Sequence, residues 1–151
     1  MIRQYLDIPP VWLLICLALA WAQKTYFPMG LSFGSGIAGF VGGVLAGGGV
    51  LLMLLAAWEM RRHKTTLMPH RYADALVTTG IYSRSRNPIY LGDALFLAGM
   101  IVFWGAVLSL PLIPIFVWWI ERHFIAEEEG FLREKFRAEF ARYAEKTRRW
   151  L

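Results

Sequence analysis

Two short segments carry residue types that can do chemistry. The first runs Gly80-Ile81-Tyr82, then Arg84, then Arg86-Asn87-Pro88-Ile89-Tyr90. Pro88 suits the first turn of a helix, because its missing N–H would have no intrahelical partner there. Asn87 then stands at or near the N-cap. The first turn of a helix leaves N–H groups free and its dipole favours anions. A helix start beside Arg84 and Arg86 is therefore a seat for a carboxylate or a phosphate. The second segment is Glu127-Glu128-Glu129, with Arg122 upstream. Its carboxylates can accept from a cation or take a proton. Each segment also has an ordinary explanation: a capped helix with Arg and Tyr anchors at a membrane interface, and a solvated helical turn. Placed together, they make one basic and one acidic wall.

The elements that must position these walls are apolar. The chain has 151 residues, 57% of them hydrophobic and 18% charged, where soluble domains average about 45–50% and about 25%. This excludes a disordered chain and argues against an ordinary soluble globule. Long stretches with almost no charge read as membrane-spanning helices. They predict an all-α integral membrane protein of about four transmembrane helices, near 9–27, 33–58, 88–105 and 108–125, with a cytoplasmic loop at 59–87 and a cytoplasmic C-terminal amphipathic helix in a tail at 126–151. The whole of 1–151 reads as one domain. Three spans plus a re-entrant segment is the alternative count. The last two spans form a hairpin whose turn falls between Trp104 and Pro111, where Gly105, Ser109 and Pro111 weaken a helix. Arg3, the apolar run 11–20 and Ala20-Trp21-Ala22 imitate a cleaved leader. Trp12, Trp21 and Pro9-Pro10 fit an anchored first helix better.

Charge placement sets orientation. Residues 59–88 hold six basic residues against two acids, and residues 121–151 hold eight against seven. Basic loops stay in the cytoplasm, so both termini and the site are expected there, and the net charge of +5 is a topology and lipid-headgroup signal rather than a nucleic-acid one. A single cysteine, Cys16, excludes a disulfide framework. His70 and His123 lack ligand-spaced partners, so no metal site is expected, and His63 belongs to the basic anchor. In the tail, Leu132, Phe136, Phe140 and Tyr143 recur at helical spacing opposite Arg133, Glu134, Lys135, Arg137, Glu139 and Arg142, the pattern of an amphipathic helix with a break near Gly130.

Nine of the 14 glycines fall between Gly30 and Gly49. Gly39, Gly43 and Gly47 form small-xxx-small steps, which let helices approach closely. Packing within one chain is favoured over a dimer face, though the residues do not choose between them.

Taken in order, these segments resemble the signature of the isoprenylcysteine carboxyl methyltransferase family and the related phospholipid methyltransferases. The pattern is Gly-x-Tyr, then Arg-(His/Asn)-Pro-x-Tyr-x-Gly, a hairpin of spans, then Glu-Glu followed by Leu, Phe and aromatics. It is met by Gly80, Tyr82, Arg86, Asn87, Pro88, Tyr90, Gly92, Glu128, Glu129, Leu132, Phe136, Phe140 and Tyr143. Thr65-Thr66 and Pro69 resemble the approach to the motif, and 147–151 resembles a bacterial variant of the terminus, so the likeness covers roughly 65–151. Two positions depart: Asn87 stands where eukaryotic members commonly have His, and Arg137 where Gly often follows the Phe.

The resemblance implies an S-adenosylmethionine-dependent methyltransferase in a bacterial inner membrane. S-adenosylhomocysteine would be the product, and a lipophilic or lipidated acceptor would arrive from the bilayer. Tyr82, Arg86, Asn87, Pro88, Tyr90, Glu128 and Glu129 would hold the donor: acids for its cationic groups, Arg86 or the Asn87 helix start for its carboxylate, tyrosine rings for adenine or sulfonium. No Gly-x-Gly-x-x-Gly fingerprint is present, so this is not a Rossmann-type enzyme. Arg122 is the candidate to hold a carboxylate acceptor, and Glu128 or Glu129 to act as base toward an amine, phenol or thiol. Asp93, one turn inside the third span, is a costly burial that invites a function, either polarising Tyr90 or binding the donor's amino group. A four-span transporter coupled through Asp93, or a non-catalytic membrane subunit, are the competing classes.

Overall fold

A computed structural model describes residues 8–29, 36–65 and 75–151. The expectations placed on Arg3, Thr66, Pro69, His70 and Arg71 lie outside these residues. The described residues are helical, with no strand. Five helices follow one another: α1 (Pro9–Tyr26), α2 (Gly36–Arg62), α3 (Pro88–Trp104), α4 (Leu112–Ile120) and α5 (Ala126–Lys146). A 3₁₀ turn, Gly80–Ser83, precedes α3, and a π turn, Glu121–Ile125, joins α4 to α5 without interruption.

α2 and α3 pack backbone to backbone. A methyl group added at Gly42 would fall 2.5 Å from the Phe103 nitrogen, and one at Gly49 would fall 2.5 Å from the Gly92 oxygen. Gly99 is equally tight against Ala46. The pairing of Gly42 with Gly99 and Gly49 with Gly92 makes the two helices antiparallel. Such contact brings helices close in a medium where apolar burial adds little. The row used is Gly42, Ala46 and Gly49, whereas a methyl at Gly39, Gly43 or Gly47 would meet nothing within 4 Å. The steps singled out from sequence thus face away from α3.

α1 and α4 complete the core. Leu13 and Ala20 of α1 meet Tyr90, Ala94, Leu97 and Ile101 of α3, together with Phe116 and Ile120 of α4. Trp12 packs on Trp119 with ring centroids 4.8 Å apart, and Trp119 stacks on His123 at 3.7 Å. The α3–α4 turn forms where Gly105 takes a left-handed φ of 65° and caps α3. Ser109 Oγ there donates to Gln23 Oε1 of α1 at 3.0 Å.

The outer surface is apolar as well. Phe40, Leu54 and Trp58 of α2, Leu14 and Leu19 of α1, and Ile115 and Trp118 of α4 are exposed. Among the described residues, two helical stretches are long and apolar enough to cross a membrane: Gly36–Arg62, with mean hydropathy 2.2, and Val107–Lys146, with mean hydropathy 1.2. Only 22% and 28% of their most apolar windows are buried, where the core helix of a soluble protein would be mostly covered. α3 is apolar but has 17 residues.

The tail differs from expectation at one point. Gly130 lies inside α5, and the break falls at Arg137, with φ 39° and ψ −110°. That left-handed φ suits glycine, because a Cβ there crowds the following carbonyl. On either side of the break, Phe140 and Tyr143 are buried, Leu132 and Phe136 half-buried, and Arg133, Glu134, Lys135, Arg142 exposed.

Candidate functional site

The segment before α3 is shaped from below by α2. Gly80 has φ 58°, and a Cβ there would lie 2.7 Å from the Glu59 carboxyl. Glu59, 7% exposed, accepts from Thr79 Oγ1 and lies 3.8 Å from His63 Nδ1. An acid just after the charge-free run of α2 thus seats the Thr79-Gly80 turn that leads into Tyr82. This role of Glu59 was missed from sequence. Its only signal was its position, the first charge after a charge-free run.

From above, the tail closes on the same segment. Arg86 N–H donates to the Arg148 carbonyl at 3.0 Å, and Asn87 Nδ2 donates to the Arg149 carbonyl at 3.0 Å. The Tyr143 hydroxyl donates to the Tyr82 carbonyl at 2.6 Å. Pro88 opens α3, and Asn87 is its N-cap by position, but the Asn87 side chain makes no capping bond. Its amide is spent on the tail instead.

The charged residues meet between these layers. Arg86 Nη1 donates to the carbonyls of Ala144 and Thr147 at 3.1 and 3.0 Å, and Nη2 to Glu129 Oε1 at 3.0 Å. Arg149 grips the same carboxylate from the other side, through Nε at 3.1 Å and Nη2 at 2.7 Å. Its third nitrogen, Nη1, donates to Glu121 on the π turn. Burial alone would push Glu129 up, but the hydrogen bonds and charges of Arg149 and Arg86 outweigh it and hold the carboxyl below its usual range. The Glu129 bonds in turn push Arg149 up. Arg149 had no spacing signal in the sequence and was missed.

Glu128 faces a different neighbour. Tyr90, 7% exposed, donates its hydroxyl to Glu128 Oε1 at 2.6 Å. Tyr82 lies close to both Glu128 and Tyr143; burial, then the charges of those two neighbours, pushes its phenol up, so it stays a neutral ring. The structure therefore brings Tyr82, Arg86, Asn87, Pro88, Tyr90, Glu128 and Glu129 into one layer. Arg122 is exposed on the π turn and is not among them. The Arg86 Nε–H is buried and has no hydrogen-bond partner among the described residues.

The described residues thus form an apolar-surfaced helical bundle that carries an ionic, tyrosine-lined layer. Residues 37–139 match the family model of the phospholipid methyltransferases. The match spans more than half of the chain, and the protein belongs to that family, which is related to the isoprenylcysteine carboxyl methyltransferases. Family membership carries methyltransferase activity in general and association with membranes. No curated protein and no solved structure matches the chain.

Proposed function

We propose that this protein is an integral membrane methyltransferase that uses S-adenosylmethionine to methylate a lipophilic acceptor drawn from the bilayer, with four spans and the site on the cytoplasmic side. The observation that carries this reading is the convergence of residues 80–90 and 128–149 around the Tyr90–Glu128 hydrogen bond, in a chain of this family. The basic loop and tail support the orientation.

The residues fit such a donor. S-adenosylmethionine supplies a methyl group on a sulfonium, already activated for displacement. Arg86, a cation beside the start of α3, suits the donor's carboxylate. Tyr82 and Tyr90 offer rings beside a cation, and Glu128, oriented by Tyr90, offers a carboxylate. Glu129 holds Arg86 in place from behind. Closure of the tail over the helix start excludes water, so that positioning provides most of the acceleration. Toward an amine, phenol or thiol acceptor, Glu128 is the base within reach of the layer. Toward a carboxylate acceptor, Arg122 on the adjoining π turn is the residue to hold it.

Calorimetric titration of the detergent-purified protein tests the reading. S-adenosylmethionine and S-adenosylhomocysteine are both expected to bind at sub-millimolar concentration, and absence of binding by either overturns it. Incubation with labelled-methyl donor and extracted membrane lipids, followed by mass analysis, identifies the acceptor.

A further inference from the structure

Asp93 is the one acid of α3. It is 4% exposed, and it makes no hydrogen bond or ion pair among the described residues. A carboxylate in such a place is among the costliest groups to bury, and those found inside membrane proteins usually have a partner or face a ligand. Asp93 and Tyr90 are three residues apart, so they share one face of α3. The Tyr90 hydroxyl lies within electrostatic reach of Asp93, Glu128 and Tyr82 together. Asp93 thus borders the same layer as the Tyr90–Glu128 bond, but from the apolar side.

Glu129 differs in kind. Both of its oxygens are taken by arginines, at 3.0 Å from Arg86 and 2.7 Å from Arg149, so its charge is already balanced. Asp93 is not so held: no cation is paired with it among the described residues.

We infer that Asp93, with Glu128, forms the seat for the sulfonium cation of the methyl donor, and that Glu129 has the structural role of joining Arg86 to Arg149. This rests on the methyltransferase reading above. Depth within the site selects the sulfonium over the donor's ammonium. Asp93 follows Pro88 by five residues, about 7.5 Å further along α3 at the helical rise. The reacting methyl must be the part of the donor nearest to an acceptor delivered from the bilayer, so the sulfonium is its deepest charge.

The test uses two ligands that differ at that atom. S-adenosylhomocysteine has the same ammonium and carboxylate, but a neutral thioether replaces the sulfonium. Calorimetry on the full-length protein in detergent compares their affinities for wild type and Asp93→Asn. The expected result is that S-adenosylmethionine weakens about tenfold or more while S-adenosylhomocysteine changes little, as loss of one charge-assisted contact requires. Asp93→Ser reads the same ratio if the amide variant does not fold, and Asp93→Glu is expected to retain part of the preference. An unchanged ratio, whether both ligands bind normally or weaken together, overturns the assignment while leaving the methyltransferase reading intact. If wild type binds neither ligand, the methyltransferase reading itself falls.

Discussion

Arg149 holds Glu129 with two nitrogens, Nε at 3.1 Å and Nη2 at 2.7 Å, and so ties the tail to the first turns of α5. Because the carbonyl of the same Arg149 accepts from Asn87, the one residue links α5 to the start of α3. The candidate site is therefore enclosed by contacts among three segments distant in sequence, and each can be tested separately.

Arg149→Ala removes this link and leaves Glu129, itself 6% exposed, to Arg86 alone. Arg149 is partly exposed, which reduces the loss. Destabilisation of about 1–3 kcal/mol is expected, read as a lower thermal midpoint in detergent. Arg149→Lys should recover only part of it, since an ammonium cannot make the two-nitrogen grip.

Glu129 makes stability depend on pH in a defined direction. Its carboxyl is held below the ordinary value of 4.5, so the folded state binds its proton less readily than the unfolded state. The stabilisation is fully present above about pH 4.5 and is lost as pH falls through the depressed value. The difference in thermal midpoint between wild type and Glu129→Gln should be constant near neutrality and shrink below that pH. A difference that grows on acidification would contradict the pairing.

Tyr90→Phe keeps the ring and removes the 2.6 Å bond to Glu128. The fold should survive, because replacing the phenol leaves a packed apolar ring. Donor affinity is expected to fall about tenfold to a hundredfold, the effect of one hydrogen bond to a charged group, in a calorimetric titration.

Two rows of glycine on α2 should respond oppositely to the same change. Gly42→Ala forces a methyl to within 2.5 Å of the Phe103 nitrogen and should cost about 1–3 kcal/mol through overpacking. Gly43→Ala meets nothing within 4 Å and should be neutral or slightly stabilising, because alanine favours the helix by up to about 1 kcal/mol. Thermal unfolding of the two variants side by side separates them.

Arg137 has φ 39° at the break in α5. Arg137→Gly should relieve the strain of a side chain in left-handed backbone and raise stability by about 1 kcal/mol. A lower midpoint would mean that the guanidinium contributes more than the strain costs.

Much of this was legible in the chain because it is set locally. The α3–α4 turn falls where Gly105, Ser109 and Pro111 stand, since glycine alone takes the left-handed cap easily and proline interrupts the backbone ladder. Pro88 opens α3 because it lacks the N–H that a first turn leaves unused. The ordered motif from Gly80 to Tyr143 pointed to the family because residue types and spacing are read directly from the chain. Tertiary structure alone decided which partners those residues meet. Glycines stand on several sides of α2, and only its rotation against α3 selected Gly42 and Gly49. Glu128 and Glu129 are neighbours in sequence, yet helical rotation of about 100° per residue turns one toward Tyr90 and the other between Arg86 and Arg149. Glu59 under Gly80, and Arg149 against Glu129, join segments about 20 residues apart. No periodicity records such contacts, because they exist only once the helices have packed and the tail has closed.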